Sequence, residues 1–437
     1  MGISFSPEVL KTFLRKIYKG FDTSNEIEPT MFREILRLLN EATVEGLMQS
    51  KYEPTHEDYF LKSLKHSNEV FSAFKAHTMG EKMAARLLDE NGKLKPFRQW
   101  KEDVKGIASH YVGSWLQTEY NTAVIRAHNA ADWQLFERDK DVMPNLRWMP
   151  TTSPEPEATH HSFWARKLTL PVDHPFWNHQ HPGNRWNCKC YLEQTDEPAN
   201  PEVLDEFAPE PPQRGLENNP GKDGHIFNDT HPYFPKSCSK CAFYKNSGLK
   251  NRVKVYFSNR TKNCFNCPFI EGCIDVIQNE GFILNKEFKN GGKLYIHKNA
   301  DSDKSDSKDI LTIARWFAKR GDTVRIPPRV HIKSQEYDKI YGSLKNTKYY
   351  GKCPDLEING VFYEYEGYVR PWKKKKVSRQ MSHGFEQSEN LIFDNNGGAN
   401  DRFINHLIHA RLKINQRINE VWVYEKGDLR LIFKNKK

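Results

Sequence analysis

No run of 18 apolar residues occurs in this sequence, which excludes a single apolar helix that crosses a membrane. The first 20 residues are charged and periodic and lack the apolar stretch of a signal peptide. Wholesale disorder is also excluded, because Phe, Trp and Tyr make up 12% of the chain and can form packed cores. We therefore expect a soluble protein that is made in a cytoplasm.

Positive charge is concentrated in the last third of the chain. Residues 301–437 contain 27 Lys and Arg against 18 Asp and Glu, whereas the first 300 residues contain 39 against 38. A polyanionic partner is therefore expected at the C-terminal third. The alternative is a basic surface that only keeps the chain soluble.

The length of 437 residues predicts two to four domains of about 100–200 residues each. Apolar residues recur at helical spacing from Trp100 to Trp115 and on to Trp133, which predicts one long helix or two abutting ones. Residues 144–192 are punctuated by Pro and aromatic residues, so regular helix is not expected there. Residues 196–227 are rich in Pro, Glu and Asn and are predicted to be a linker or an extended arm.

A polar linker at residues 298–308 precedes a predicted small α+β domain at residues 309–437. Asn359-Gly360 suits the two-residue type I′ turn of a β-hairpin. The predicted elements are a helix at Ile310–Phe317, a strand at Thr323–Ile326, a hairpin of Leu356–Ile358 and Val361–Glu366, a helix at Val377–Ser388, a strand at Leu391–Phe393, a helix at Phe403–Leu412, and a hairpin of Val421–Tyr424 and Leu429–Phe433.

Residues 228–297 carry five cysteines with metal-ligand spacing: Cys238, Cys241, Cys264, Cys267 and Cys273. The first four form two CxxC pairs separated by 22 residues, and each pair presents two thiolates from one tight turn. Arg252–Phe257 alternates like a strand, as in zinc ribbons. The sequence therefore predicts a zinc-ribbon-like segment with one structural zinc, in which Cys273 could replace one of the four ligands. A redox pair and unligated thiols are the alternatives.

A second group of potential ligands falls within 31 residues: His160, His161, His174, His179, His181, Cys188 and Cys190. Soft and borderline ligands are locally dense here, so a metal site is one interpretation. The interpretation that we favour is a small loop-rich core packed by His161, Trp177, Trp186 and the two cysteines.

An ordered series of motifs resembles the phage Mu F-like minor head proteins. The motifs are Leu116–Val124, Asn145–Trp148, His161, Leu170–Trp177 and His181–Cys190. That family usually has an Arg or Asp shortly before its central His, whereas Pro-Glu-Pro-Glu-Ala-Thr precedes His160 here, so the role of that residue is not carried over. The resemblance implies a mainly helical head-assembly domain at residues 1–195, which binds portal or capsid proteins, has no enzyme activity, and ends in the virion interior.

Three carboxylates surround the predicted hairpin: Asp355, Glu364 and Glu366. On a strand Glu364 and Glu366 point to the same face, and like charges side by side are costly unless a cation lies between them. The arrangement resembles the Pro-Asp-(Asp/Glu)-x-Lys nuclease core, in which the carboxylates hold Mg²⁺. Glu366, however, stands where that motif has its Lys.

The helix that follows provides a second candidate set. Arg379, His383 and Gln387 recur at every fourth residue and share one face. His383 is suited to general acid or base catalysis, and Arg379 to stabilising charge on a phosphoryl group, in a metal-free ribonuclease whose nucleophile is the RNA 2′-hydroxyl. A solvated polar helix face is the alternative. We slightly favour the metal-free route, because Glu366 takes the place of the motif Lys.

Four further motifs resemble the C-terminal toxin domains of contact-dependent inhibition systems, several of which are tRNA nucleases: Cys353–Asp355, Ile358–Phe362, Ser378–Ser388 and Leu391–Asn396. The resemblance implies an endoribonuclease acting on tRNA, with an immunity protein as a further partner. It also implies phosphate contacts and base stacking from Arg370, Trp372, Lys373, Lys374, Lys375 and Lys376. The alternatives are a metal-dependent DNA nuclease and a purely structural head protein whose last domain binds nucleic acid without cleaving it.

Overall fold

The computed structural model describes residues 3, 5–53, 59–151, 158–245, 261–367, 371–414 and 416–435. The chain divides into two compact units, Met1–Ile274 and Asp275–Lys437. The first unit is mainly helical and the second is built on a mixed sheet, which confirms the coarse fold class predicted from the sequence. No helix within these described ranges is long and apolar enough to cross a membrane.

Helices dominate the first half of the first unit. They are α1 (Pro7–Tyr18), α2 (Pro29–Leu47), α3 (Tyr59–Ala84), α4 (Phe97–Asp103), α5 (Lys105–Ser109) and α6 (Trp115–Asp139), with a π-helical turn at His110–Ser114. The helix predicted from Trp100 onwards is therefore broken before α6. Gly113 has the non-helical angles φ −104° and ψ −119°, which a residue without a Cβ adopts at little cost.

A three-stranded antiparallel sheet follows α6 in the first unit. It contains β1 (Asn145–Met149), β2 (Thr169–Pro171) and β3 (Tyr191–Thr195), in the order β2-β1-β3. The described parts of the connections contain short helical turns, such as α7 (His161–Ala165), as the Pro and aromatic content predicted. Trp148, Trp177, Cys188 and Cys190 are buried together against this sheet.

Residues 196–227, predicted to be a linker, are instead packed into the first unit. Leu216, Ile226 and Phe227 are buried, and α8 (Pro220–Asp223) lies within the segment. Arg126 of α6 is fully buried and donates hydrogen bonds to the carbonyl oxygens of Gly183, Asn218 and Ile226. The Pro and Asn content correctly indicates irregular backbone, but irregular backbone need not be a linker. Here side chains from distant elements form hydrogen bonds with the backbone of this segment, which holds it within the unit.

Two further short helices are described in this part of the chain, α9 (Ala242–Lys245) and α10 (Pro268–Gln278), and α10 runs across the boundary of the first unit. The predicted zinc-ribbon strand at Arg252–Phe257 lies outside the described residues.

The second unit contains an eight-stranded mixed sheet in the order β11-β10-β9-β8-β7-β6-β5-β4. The pairs β5/β6, β8/β9 and β9/β10 are parallel and the others are antiparallel. The strands are β4 (Phe282–Glu287), β5 (Lys293–His297), β6 (Thr323–Ile326), β7 (Leu356–Ile358), β8 (Val361–Gly367), β9 (Asn390–Asp394), β10 (Glu420–Glu425) and β11 (Asp428–Lys434).

The described residues of this unit also form the α-helices α11 (Ser307–Lys319), α12 (Gln335–Tyr341), α13 (Lys374–Gln387) and α14 (Asp401–Lys413). The helices and strands predicted between residues 310 and 433 are confirmed to within a few residues. Asn359 and Gly360 have φ angles of 50° and 80°, as the predicted type I′ turn requires.

The boundary between the predicted segments 228–297, 298–308 and 309–437 differs from the structure. Strands β4 and β5 belong to the sheet of the second unit, because β5 pairs in parallel with β6. Residues 298–308 consequently connect two parts of one unit and do not separate domains. Parallel pairing across a long connection leaves no local pattern in the sequence, so the strand prediction did not include it.

Candidate catalytic and metal-binding sites

A cavity of about 840 Å³ lies in the second unit, beside the hairpin of β7 and β8. Its lining is dominated by charged and polar side chains, including Lys304, Asp306, Arg329, Glu364, Glu366, His383 and Gln387. A cavity of this size admits a ligand as large as a nucleotide. Glu364, Glu366, His383 and Gln387 were predicted as site residues, whereas Asp306 and the two cations, Lys304 and Arg329, were not.

The hairpin brings three predicted carboxylates together. Leu356 of β7 pairs with Tyr363 of β8, so Asp355, which immediately precedes β7, lies alongside the middle of β8. One oxygen of Asp355 accepts a hydrogen bond of 3.3 Å from the backbone N–H of Tyr365. Glu364 and Glu366 flank Tyr365 on the same strand and both line the cavity.

Lys304 provides the positive charge nearest to this cluster. Its Nζ lies 3.0 Å from Oδ1 of Asp355 and 3.0 Å from Oδ2 of Asp306. Burial alone would lower the pKa of Lys304, but the two carboxylates outweigh it and the pKa is raised. Lys304 is therefore a protonated cation beside Asp355. It lies in the polar segment 298–308, which carries no local signal of a site.

Glu364 is a buried carboxylate with no described cation within ion-pair distance, although the more distant charges of Lys304 and Arg329 act to lower its pKa. Its side chain is 6% exposed, and Oε2 has no hydrogen-bond partner within the described part of the chain. Burial raises the pKa of Glu364 well above its usual value, and the charges of Asp355 and Glu366 raise it further. A buried oxygen of this kind costs free energy unless it is protonated or meets a cation.

Glu366 is paired with His383, the predicted general acid or base. The Nδ1 atom of His383 contacts Oε1 of Glu366, and both side chains line the cavity. Burial raises the pKa of Glu366, while His383 opposes that shift. Arg379 is exposed and lies outside the described lining of the cavity, so the structure brings together His383 and Gln387 but not the third member of the predicted helix face.

The residues predicted to contact nucleic acid differ in their exposure. Lys373, Lys374, Lys375 and Lys376 are exposed at the start of α13, the helix that carries His383. Trp372 is half-buried, and its ring packs 5.3 Å from that of Phe403, so part of its surface already has a partner within the unit. Arg370 lies outside the described residues.

The two CxxC pairs of the first unit meet at one small apolar pocket. Cys238, Cys241, Cys264 and Cys267 line it together with aromatic side chains such as Phe243. Each pair is formed by a 3-10 turn, and the N–H of Cys241 donates a 3.0 Å hydrogen bond to the carbonyl oxygen of Cys238. Burial raises the pKa of the Cys273 thiol, on α10, and the charges of Cys241 and Cys267 raise it further. Several of these cysteines could bind a metal ion, although among the described residues no three of their sulfur atoms lie within 4.8 Å of one another.

A second donor set in the first unit consists of His160, Cys188 and Cys190, whose ligand atoms all lie within 4.8 Å of one another. His160, and not the predicted His161, is the buried histidine, because His161 is exposed and packs against Trp164 at 4.4 Å. The prediction chose the wrong member of an adjacent pair.

Two other residues of this predicted region, His181 and Trp186, make contacts outside the His160 cluster. His181 is buried and contacts the carbonyl oxygens of Pro182 and Asn218, and burial lowers its pKa to about 3. Trp186 packs against Phe227 and lies outside the core that contains Trp177.

Comparison with known proteins identifies no related protein: no family model, no curated protein and no solved structure matches this chain.

The Glu364→Gln substitution is expected to stabilise the metal-free second unit at neutral pH. Because the folded-state pKa of Glu364 is raised, its contribution to stability is complete below the ordinary pKa of 4.5 and is lost as the pH rises through the folded pKa. A neutral amide avoids this loss, so we expect a gain of about 1–3 kcal/mol at pH 7 in EDTA. Scanning calorimetry of the intact chain between pH 5 and pH 8 measures it.

The control is Glu386→Gln, an exposed residue on α13, which should leave the pH dependence unchanged. Equal melting behaviour of the two variants would show that Glu364 is not destabilising in the wild-type protein.

Proposed function

We propose that the second unit is a nuclease whose carboxylate cluster binds a divalent cation. The observation that carries this proposal is the unpartnered Oε2 of Glu364, buried between Asp355 and Glu366 beside a large polar cavity. Oxygen-only donors of this kind suit Mg²⁺. The sequence slightly favoured a metal-free route, because Glu366 stands in the place of the motif lysine. Lys304 supplies a cation beside Asp355 instead, so we now favour the metal-dependent route.

The donor set fits the ion by its chemistry. Asp355, Glu364 and Glu366 would hold Mg²⁺, and Oε2 of Glu364 would gain the positive partner that it lacks among the described residues. When bound, Mg²⁺ supplies polarisation of a phosphoryl oxygen and lowers the pKa of a coordinated water.

The remaining cavity residues have roles of their own. Lys304 and Arg329 line the wall and would bind the negatively charged phosphate of the substrate. With the Nδ1 proton of His383 directed to Glu366, Nε2 is the basic nitrogen that can accept or return a proton. The exposed lysines at the start of α13 would add sequence-independent attraction for a polyanion.

The substrate proposed for this centre is RNA, and tRNA in particular. Support comes from the resemblance of residues 309–437 to contact-dependent inhibition toxins, together with the excess of 27 basic over 18 acidic residues in the last third of the chain. An immunity protein that covers the cavity would be the natural partner. Metal-free cleavage by His383 remains the second candidate, because His383 and Gln387 both line the cavity.

Cleavage assays on the intact chain, with total tRNA and with plasmid DNA, test the nuclease proposal. With Mg²⁺ we expect cleavage of tRNA, which EDTA abolishes, and we expect Glu364→Gln to lower the rate by at least about 10²-fold because a charged ligand is lost. Glu386→Gln, the exposed control on α13, should cleave at the wild-type rate.

Each other outcome has a definite meaning. Cleavage that survives EDTA and falls by about 10²–10⁴-fold in His383→Ala would support the metal-free route. Cleavage of plasmid DNA alone would assign a DNA nuclease. A folded chain that cleaves neither substrate would leave a module that only binds nucleic acid.

We also propose that the two CxxC pairs bind one structural Zn²⁺. The turns at Cys238–Lys240 and Cys264–Asn266 deliver four thiols to one apolar pocket, and four thiolates complete a tetrahedral sphere. Such a site would stabilise this part of the first unit and would leave no open position for catalysis.

Elemental analysis of the intact chain tests this zinc site. Cys264→Ser is expected to lower the zinc content by one ion per chain, because three thiolates hold the ion much more weakly. Cys353→Ser, in the second unit, is the matched control and should retain the wild-type content. Equal zinc contents of the two variants would contradict the proposal.

The first unit is proposed to act in phage head assembly. This proposal rests on the ordered Mu F-like motifs between Leu116 and Leu192, which fall on α6 and on the compact three-stranded core. The unit would bind portal or capsid proteins during assembly in the host cytoplasm and would end in the virion interior.

Deletion of this gene from a phage that encodes it is expected to give defective heads, because an assembly partner of the portal would be missing. Particle yield, electron microscopy and infectivity measure the effect, and expression of the intact chain from a plasmid should restore it. Normal infectious heads without the gene would refute the assembly role.

A further inference from the structure

The cluster of His160, Cys188 and Cys190 joins two separate parts of the first unit. His160 ends a 3-10 turn at Ala158–His160, and the two cysteines directly precede β3. The Sγ atom of Cys188 lies 3.3 Å from Nδ1 of His160, and the Cys190 sulfur lies within 4.8 Å of both atoms. Two sulfurs and one imidazole nitrogen therefore converge although they come from separate loops.

Hydrogen bonds behind His160 fix which of its nitrogens carries the proton. Nε2 of Gln180 donates to the carbonyl oxygen of Glu210 at 2.8 Å, so Oε1 of Gln180 is the acceptor for Nδ2 of Asn184 at 2.7 Å. The remaining amide oxygen of Asn184 lies 2.8 Å from Nε2 of His160 and can only accept. Nε2 therefore carries a hydrogen, and in the neutral ring Nδ1 presents its lone pair to the cysteines.

The series of hydrogen bonds from Gln180 through Asn184 to His160, here called the relay, resembles the hydrogen bonds that support a metal-bound histidine. A ligating imidazole is usually held by a hydrogen bond from its other N–H to an oxygen, which fixes the ring and its tautomer. A relay of three polar side chains exceeds what packing of a neutral ring requires, since a single acceptor would satisfy Nε2. These hydrogen bonds place the hydrogen of the neutral imidazole on Nε2, so Nδ1 is free to act as a ligand atom next to the cysteines.

Charge and burial narrow the identity of the ion. His160, Cys188 and Cys190 are 1%, 3% and 2% exposed and pack with Trp148 and Phe163. A divalent ion with two thiolates and one neutral imidazole carries no net charge, so it can be buried without an uncompensated charge. Thiolate and imidazole donors favour Zn²⁺ over Mg²⁺ or Ca²⁺.

We propose that His160, Cys188 and Cys190 bind a second zinc ion, independent of the CxxC pairs and of the nuclease centre. The ion would connect the turn before α7 to β3, and so stabilise the three-stranded sheet. Three protein ligands leave one position for a water molecule or another small ligand. Because Cys188 and Cys190 are both buried, the role proposed for this ion is structural.

Zinc analysis of the intact, zinc-loaded chain provides the first test. We expect two ions per chain in the wild type and one in His160→Gln, because the imidazole ligand is lost. His161→Gln alters the adjacent exposed histidine and should retain both ions. A folded His160→Gln chain with the wild-type zinc content would overturn the proposal.

Anomalous diffraction at the zinc edge from the wild-type chain gives a test that does not depend on folding of a variant. We expect a peak at about 2.0–2.1 Å from Nδ1 of His160 and about 2.3 Å from the sulfurs of Cys188 and Cys190. A map with zinc at the CxxC pairs and none at His160 would show that the second cluster is only hydrogen-bonded. Zinc at His160 alone would support this inference and remove the CxxC proposal.

Discussion

Burial of Glu364 between two other carboxylates is the electrostatic constraint around which the second unit's cavity is organised. The hairpin of β7 and β8 brings the three carboxylates close to one another. Strand pairing holds Asp355 beside β8, and strand alternation places Glu366 on the same face as Glu364. Lys304 forms an ion pair with Asp355, and His383 is hydrogen-bonded to Glu366. Oε2 of Glu364 has no hydrogen-bond partner among the described residues, and the charges of Lys304 and Arg329 only partly offset the rise of its pKa, so the cavity is suited to a bound ion.

In the first unit, the buried charged side chains of Lys75, Glu119 and Arg126 have hydrogen-bonding or ion-pair partners, in contrast to Oε2 of Glu364. Lys75 and Glu119 are fully buried, but they contact each other, and Glu119 also accepts a 2.9 Å hydrogen bond from Tyr233. Arg126 is equally buried and is satisfied by carbonyl oxygens. These buried charges have partners, whereas Oε2 of Glu364 has none among the described residues. An unpartnered buried oxygen in a polar cavity is the reason for proposing a ligand site at Glu364.

Local patterns in the sequence predicted the elements of the second unit well, and contacts between distant residues account for what was missed. The turn at Asn359-Gly360 and the helical spacing of Ile310 to Phe317 depend only on neighbouring residues, so those elements were found. Lys304 belongs to the site only because the chain returns to Asp355, 51 residues later. Likewise, the choice between His160 and His161 depends on the position of Asn184 in the folded chain, and no spacing rule contains that information.

The donor atoms of the candidate metal sites differ in a way that separates their ions. The cluster at Glu364 offers only carboxylate oxygens, which suit a hard, strongly hydrated ion that exchanges readily with solvent. The two clusters of the first unit offer thiolates, with an imidazole in one of them, and such donors retain a borderline ion such as Zn²⁺. Since Mg²⁺ competes poorly for thiolates, its removal from the proposed carboxylate site would leave the two proposed zinc sites undisturbed. The proposals together describe a chain that would combine permanently bound structural ions with an exchangeable ion at the carboxylates.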